Sequence, residues 1–313
     1  MSKKILPTGP DYLETPLRRE GPDHDFFPWR DTWAEGRLRW NGDTTLGIWI
    51  QIAVEWFPLN ISDTPFLPIG APNRPWPDSE TYTQRDYGNR VGIFRMMDAL
   101  AAREMTASAC LNARLAARYP ALAREIAKEG WDVVAAGFDA GAIHHDGLTK
   151  DTEQSMIAEA LSLLQAEGLT PVAWHSPSWS QSSRTPALLV DAGVNAMADW
   201  GNDEAPYQHM TASGPITSLP AAFELCDREI IANRQNSLAD FECAMIAAAQ
   251  RLAHEAEETG QHRLLTINLS PWIMGQPFRI VGFERILDAF AAIQGAKTVQ
   301  VAEIMAASQA AND

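Results

Sequence analysis

Apolar, β-favouring runs alternate with amphipathic segments along most of the chain, and this alternation constrains the fold more than any other feature. The first run, TTLGIWIQIAVEWF, is predicted to form a buried strand that ends at Glu55. Later runs of the same kind are TASACLNA, WDVVAAG, TPVAWHS, VNAMAD and RLLTINL. Strands separated by helices at this spacing predict βα units and a parallel sheet, so the predicted fold class is α/β.

The amphipathic segments between the strands are predicted to form the helices of these units. In TKDTEQSMIAEALSLLQAEG, Thr149 is a suitable N-cap and Gly168 follows the last turn. The segment ARLAARYPALAREIAKEG is predicted to form one helix closed by Gly130. A chain of 313 residues is long enough for one large α/β domain or two modest ones.

Residues 1–85 form a predicted N-terminal arm that is rich in Pro and Trp and includes the first strand near 45–56. Residues 86–313 carry the other βα units, so we expect a single domain overall. The arm is too aromatic for a disordered linker. It is expected to pack over the mouth of the fold, the end at which the parallel strands finish, or on a neighbouring subunit. Because uncovered aromatic residues form a large apolar patch, we expect a homo-oligomer.

Charge and composition exclude several classes of partner. The net charge of −15 argues against nucleic acid and anionic membranes, because phosphate surfaces repel an acidic protein. No secretory signal and no membrane-spanning apolar run is visible. The three cysteines are far apart and fit neither a disulfide framework nor a zinc spacing. We therefore expect a cytoplasmic protein whose partner is a small-molecule substrate.

Polar residues follow the ends of successive predicted strands, where α/β folds place their chemistry. A structural role is possible for each of them: Asp139 can make an Asx turn, and His175 can anchor a loop. His144 and His145 are adjacent, so at most one of them easily faces a site. Only a shared mouth would bring all the strand ends together. The strand-end residues are Glu55, Asp139, His175, Asp199 and Ser270.

Several motifs occur in an order that resembles the polysaccharide deacetylase superfamily. They are RDYGNRVGIFRMMDAL, GWDVVAAGFDAGAIHHDGL, WHSPSWSQSSRTPALLVDAGV, ADWGNDEAPY and LSPWIMGQPFRI. The resemblance is nearest to the cytoplasmic branch that includes metal-independent allantoinases and cyclic-imide hydrolases, and it covers roughly residues 45–305. It implies a distorted, seven-stranded parallel β/α barrel. In the metal-dependent members, an Asp and two His hold the ion, an acid acts as base, and a late His protonates the leaving amine.

The resemblance is incomplete at the positions that carry this chemistry. Glu55 falls on the first acidic motif, and Asp199 fits the fourth. Ala136 stands where the second motif usually begins with His. His175 takes the place of an arginine that orients the catalytic acid, and Ser270 replaces the late histidine.

The metal ligands that the resemblance implies are partly missing. Asp139 and His144 are kept, whereas Gly141 and Ala142 replace an inner Asp and His of the relatives. With Glu55, these two residues could form a set of about three ligands for one zinc or manganese ion. A site without any metal is the alternative.

By analogy of fold, we expect a hydrolase of a non-peptide C–N bond in a small amide, cyclic imide or ureide. Glu55 or Asp139 would deprotonate water, and His175 or His144 would protonate the leaving nitrogen. The alternatives are a metal-independent lyase, decarboxylase or ring-opening enzyme, and a non-catalytic binding protein. The predicted substrate-binding residues are Trp56, Trp174, Trp200, Ser270 and Trp272.

Overall fold

The computed structural model describes residue 24 and residues 26–31, 37–59 and 65–311. In this part of the chain the strands are β1 Leu46–Val54, β2 Ser108–Leu111, β3 Asp132–Ala135, β4 Ala173–Trp174, β5 Ala196–Trp200, β6 Tyr207–Thr211, β7 Gly214–Pro220, β8 Arg263–Leu269 and β9 Ala296–Thr298.

The α-helices are α1 Ser79–Tyr87, α2 Ile93–Ala101, α3 Ala113–Arg118, α4 Pro120–Lys128, α5 Lys150–Ala166, α6 Thr185–Asp191, α7 Leu238–Thr259, α8 Pro271–Met274, α9 Ile280–Ala291 and α10 Val301–Ala310. Two π-helical turns, Gly88–Gly92 and Arg228–Asn233, and a 3₁₀ turn, Pro177–Trp179, complete the helical elements. None of the helices in the described ranges is long and apolar enough to cross a membrane.

Seven strands form a curled parallel sheet in the order β7-β5-β4-β3-β2-β1-β8, and this confirms the predicted α/β barrel. The strand β6 pairs antiparallel with β7 at one end of this order, and β9 pairs with the start of β1. Within the described residues, β7 and β8 are not paired directly. The chain just after β7 meets β8 through an isolated parallel bridge between Cys226 and Asn268. The barrel is therefore distorted at this seam.

The period-2 alternation of the strands decides which side chains face the barrel interior. Along β1, Ile50 and Ile52 pack outward against the helices, whereas Trp49 lies in the interior cluster. The interior side continues to Glu55, the first charged residue beyond the strand. The same alternation at β4 puts Trp174 on the helix side, so that His175 follows on the interior side. The residues that point into the barrel at the carboxyl ends of the strands therefore surround one opening, the mouth of the barrel.

The predicted helix over 113–130 is broken in the structure, and this prediction was wrong in that detail. Tyr119 leaves the helical region with φ −124° and ψ 62°, and α4 begins at Pro120. Proline disfavours the α conformation in the residue before it, and it has no N–H for the preceding turn. The predicted Thr149 cap is confirmed, because its side chain accepts a hydrogen bond from the Thr152 N–H.

Two aromatic residues of the arm, Phe26 and Phe27, pack on the barrel near β5 and β6. Phe26 stacks on His209 with ring centroids 4.8 Å apart, and its carbonyl accepts a bond from the Met210 N–H at 2.6 Å. Phe27 packs edge-on against Tyr207. The helix α1 spans the predicted boundary between residues 85 and 86. Residues 1–23, where the arm was predicted to begin, lie outside the described residues.

Candidate active site

A buried ion pair stands at the carboxyl ends of the barrel strands. Glu55 follows β1 and is 8% exposed. Its two carboxylate oxygens accept hydrogen bonds from Arg228 Nη1 at 2.8 and 3.1 Å. The Asn89 side chain holds the Glu55 backbone by donating to its carbonyl at 2.9 Å. Arg228 comes from the π-helical turn after β7, so the two charges meet across the mouth.

An aromatic group covers this pair. The centroid of the Trp179 ring lies 5.1 Å from the Arg228 guanidinium carbon and 5.1 Å from the His175 ring centroid. Ser178 and Trp179 adopt left-handed backbone conformations with φ of 57° and 52°. Such conformations cost about 1–3 kcal/mol each and cluster at functional sites. The indole is therefore held over the pair by a strained turn.

His175 is buried in an unusual state. Its backbone N–H donates to the Ala135 carbonyl at 2.8 Å, whereas neither ring nitrogen has a partner among the described residues. Burial, assisted by the Arg228 cation, lowers the pKa of His175 to about 3. Its ring is therefore neutral at pH 7. A neutral ring cannot act as an imidazolium donor in the ligand-free protein, and the predicted role of His175 as proton donor stays a prediction.

A pocket of about 370 Å³ opens beside Arg228 and Trp179, whereas Glu55 and His175 lie behind them and do not line it. Arg228 and Trp179 line it from the barrel side, and Phe223 extends the aromatic wall with its ring 5.3 Å from Trp179. At the rim, Arg234 bonds to carboxylates on both sides. Its partners are Glu229 at 2.7 Å and Glu224 at 2.9 Å. The other lining residues are Phe66, Leu67, Ile69, Ser178 and Cys226.

Asp139 makes the Asx turn that the sequence allowed. Its Oδ1 accepts from the Gly141 N–H at 2.9 Å, and its Oδ2 accepts from Arg114 Nη1 at 2.8 Å. Both oxygens are therefore engaged within the β3 end and α3. This arrangement leaves Asp139 as a loop-forming residue next to the mouth.

His144 anchors its loop to the helices outside the barrel. It is 1% exposed, and its Nδ1 lies 3.2 Å from a carboxylate oxygen of Glu153 on α5. Ser182 and Thr185 donate to the same carboxylate at 2.7 and 2.5 Å. Although burial opposes it, these hydrogen bonds lower the pKa of Glu153 to about 2. His145 is half-buried and accepts a bond from the following loop backbone at 3.1 Å.

The predicted metal ligands are not brought together. Among residues 24, 26–31, 37–59 and 65–311, no group of three or more His, Cys, Asp or Glu side chains is placed to hold a metal ion. Glu55, Asp139 and His144 each bond to a different partner on a different element. A zinc site needs about three convergent protein ligands. As arranged, these three residues do not fit a metal site.

The predicted tryptophans occupy different layers. Trp174 is fully buried on the helix side and meets His144 edge-on, and Trp56 packs between Tyr82 and Tyr119. Neither belongs to the wall of the pocket, because the strand alternation turns them outward. Trp200 packs on the arm, and Trp272 lies under the Arg85 guanidinium at 3.5 Å.

Two buried carboxyls complete the mouth. Asp199 accepts from the Ser176 N–H at 2.6 Å and from the Gln181 amide at 2.5 Å. Burial raises its pKa to about 6, against the effect of these bonds. Asp227 accepts from the Ser270 N–H at 2.7 Å, and burial raises its pKa to about 7. The side-chain oxygen of Ser270 has no partner among the described residues.

The residues missed at the sequence level are Arg228, Asp227 and Trp179. The pair Asp227-Arg228 follows the run ITSLP, which forms most of β7. That run is too short and too polar to predict a strand, so the sequence does not mark Asp227 and Arg228 as strand-end residues. A proline at the end of a short run hides the strand signal.

Asp227→Asn is expected to become more stable relative to the wild type as the pH rises. The carboxyl titrates near 3.8 without burial and near 7 in the fold, so the folded protein holds a proton that the unfolded chain has lost. Its contribution is fully present below pH 4 and is lost as the pH rises to 7. Urea unfolding at pH 5 and pH 8 should show a relative gain of roughly 1–3 kcal/mol.

The control for this prediction is Asp288→Asn, which makes the same change at a carboxyl with a 62% exposed side chain. It should show no such gain with pH. If wild type and Asp227→Asn lose stability in parallel between pH 5 and pH 8, the raised pKa is refuted.

The barrel is similar to several solved structures. A probable polysaccharide deacetylase from Pseudomonas aeruginosa superposes with a TM-score of 0.74 at 20% identity, over 87% of this chain and 92% of that one. The Puue allantoinase superposes with a TM-score of 0.76 at 18% identity, over 88% and 94%. A putative polysaccharide deacetylase from Mycobacterium smegmatis gives 0.72 at 17% identity, over 92% and 96%.

No protein-family model matches the sequence, and no curated protein matches it. At identities of 20% or less, the structural similarity shows the fold alone. The chain therefore has the distorted β/α barrel of the polysaccharide deacetylase type, as its motifs predicted.

Proposed function

We propose that the protein hydrolyses a non-peptide C–N bond in a small amide, cyclic imide or ureide. The observation that carries the proposal is the Glu55 carboxylate, which is fixed by Arg228, a residue that lines a pocket of about 370 Å³. Strand ends are where barrels of this kind place catalytic groups. The names of the similar structures, an allantoinase and two deacetylases, support hydrolysis of a C–N bond by analogy.

In the proposed reaction, Glu55 is the catalytic residue and Arg228 is a positioning residue. Glu55 takes a proton from water while the water oxygen bonds to the carbonyl carbon of the substrate. The C–N bond then breaks, and the protonated Glu55 returns the proton to the leaving nitrogen. Arg228 holds the carboxylate in one orientation, and Trp179 keeps bulk water away. Apart from the substrate and one water molecule, every group in these steps belongs to the chain.

The second candidate is a metal-independent lyase, decarboxylase or ring-opening enzyme on the same barrel. The separation of Glu55, Asp139 and His144 favours it, because these three side chains do not form a ligand set. A small-molecule partner, a cytoplasmic location and a homo-oligomer remain parts of the proposal. Light scattering at micromolar concentration that shows only monomer would refute the last of these.

The test is turnover of a panel of hydantoins, cyclic imides, linear ureides and N-acyl amines. Hydrolysis predicts that one class gives a product with the mass of the substrate plus one water. A product of unchanged or smaller total mass would favour the second candidate. If nothing in the panel turns over, although ligands bind in the pocket, a non-catalytic binding protein is favoured.

A further inference from the structure

The Arg228 guanidinium uses only one of its nitrogens on Glu55. Both carboxylate oxygens lie against Nη1, at 2.8 and 3.1 Å. Nε and Nη2 are buried, and no nitrogen or oxygen atom of the described residues accepts a hydrogen bond from them; the Cys226 thiol lies beside the guanidinium. Together they form the lateral edge of the guanidinium, whose two parallel N–H groups match the two oxygens of a carboxylate. Buried donors are normally paired, so this free edge calls for an acceptor.

The pocket beside Arg228 has apolar walls. Its aromatic side is Trp179, whose ring lies 5.1 Å from the Arg228 guanidinium carbon, and Phe223 continues that side. Leu67 and Ile69 of the arm also line the cavity. A ligand that reaches the free edge of Arg228 would therefore place a flat or apolar body against the indole.

The charge around the ion pair favours an added anion. Arg85 lies close enough to interact electrostatically with both Glu55 and Arg228. Burial lowers the pKa of Arg85 to about 10; the Glu55 charge raises this pKa, and the Arg228 charge lowers it. Arg85 and Arg228 thus both interact with Glu55, and the Asp227 carboxyl, which also interacts with Arg228, has its pKa raised by burial to about 7. The rim carboxylates of Glu224 and Glu229 are already bonded to Arg234. Below pH 7, where Asp227 holds its proton, the inner site has an excess positive charge in a chain of net charge −15.

We propose that the lateral edge of Arg228 is a carboxylate-binding subsite, and that the substrate is a small carboxylic acid with a flat apolar body. This inference rests on the proposed function for the position of the C–N bond, which the subsite would hold near Glu55. The subsite itself is independent of turnover. A planar carboxylate suits a single bidentate edge, whereas a neutral amide can satisfy only part of it.

Calorimetric titration of the full chain with phenylacetate and with phenylacetamide tests the subsite. The two probes differ only in the carboxylate, and the acid should bind about 10- to 100-fold more tightly. Glu55→Gln should tighten phenylacetate binding severalfold, because the guanidinium loses its competing carboxylate. In that background, adding Arg228→Met should remove the preference for the acid. This double variant keeps no unpaired buried charge, so it is expected to fold.

Arg234→Gln is the matched control, because it removes a positive charge from the rim of the same pocket. It should change the preference less than about threefold, since the Arg234 side chain is half exposed and solvent screens it. Equal affinity for the two probes, no binding of either at millimolar concentration, or a preference that survives in the double variant would overturn the subsite. A preserved preference without turnover of any panel compound would refute the proposed hydrolysis alone.

Discussion

Arg228→Met is expected to destabilise the protein by about 3–5 kcal/mol, because it leaves the Glu55 carboxylate buried without its cation. The two side chains are only 4% and 8% exposed, so solvent cannot replace the lost partner. Urea unfolding followed by tryptophan fluorescence measures the change. The free energy of unfolding should fall, because the variant removes one charge of the pair and leaves the other buried.

A double-variant cycle separates this effect from lost packing. Glu55→Gln combined with Arg228→Met removes both charges and should recover most of the stability, since apolar or neutral replacements of buried pairs are often tolerated. Arg285→Met is the control: its pair with Glu242 is bidentate, at 2.8 and 2.6 Å, but the Arg285 side chain is 54% exposed. That change should cost less than about 1 kcal/mol. An equal loss of stability in Arg228→Met and Arg285→Met would contradict the proposed effect of burial.

Glu55→Gln is expected to lower turnover by about 10²- to 10⁴-fold on whichever substrate the panel identifies. The amide keeps the shape of the side chain and one acceptor for Arg228, but it cannot take a proton from water. The loss should therefore appear in kcat, with a KM that is unchanged or up to severalfold lower, as expected for tighter binding of a carboxylate substrate. Steady-state kinetics with the identified substrate measure both constants.

The control for the kinetic prediction is Glu242→Gln, which changes a glutamate of a surface ion pair. Its turnover should stay within about twofold of the wild type. A Glu55→Gln variant that keeps a tenth or more of the turnover would show that Glu55 is not the base. The base would then be one of the other buried carboxyls near the mouth, Asp139, Asp199 or Asp227.

Much of the fold could be predicted because its signals are local. Alternation within TTLGIWIQIAVEWF identifies a strand and also decides that Glu55 shares the interior face with Trp49. Caps such as Thr149 mark helix ends through hydrogen bonds between residues only three positions apart. The hairpin of β6 and β7 escaped prediction, because its short runs carry turn residues and a proline that weaken the same signals.

The candidate site was only partly predictable. His144 looked like a ligand in the sequence, but in the fold it bonds to Glu153 on the neighbouring helix α5. Trp174 looked like a wall of the pocket, but strand alternation places it in the outer layer. A residue type at a strand end does not reveal the partner that the side chain will meet.

The sequence by itself determined the βα order, the interior position of Glu55 and the apolar character of the arm, because each depends on residues close in the chain. Only the tertiary structure decided that Arg228 meets Glu55 across 173 positions, and that Trp179 covers the pair. Such contacts depend on how the barrel curls and where its seam lies, and no local pattern encodes that closure. The chemistry of the mouth is therefore a property of the assembled barrel.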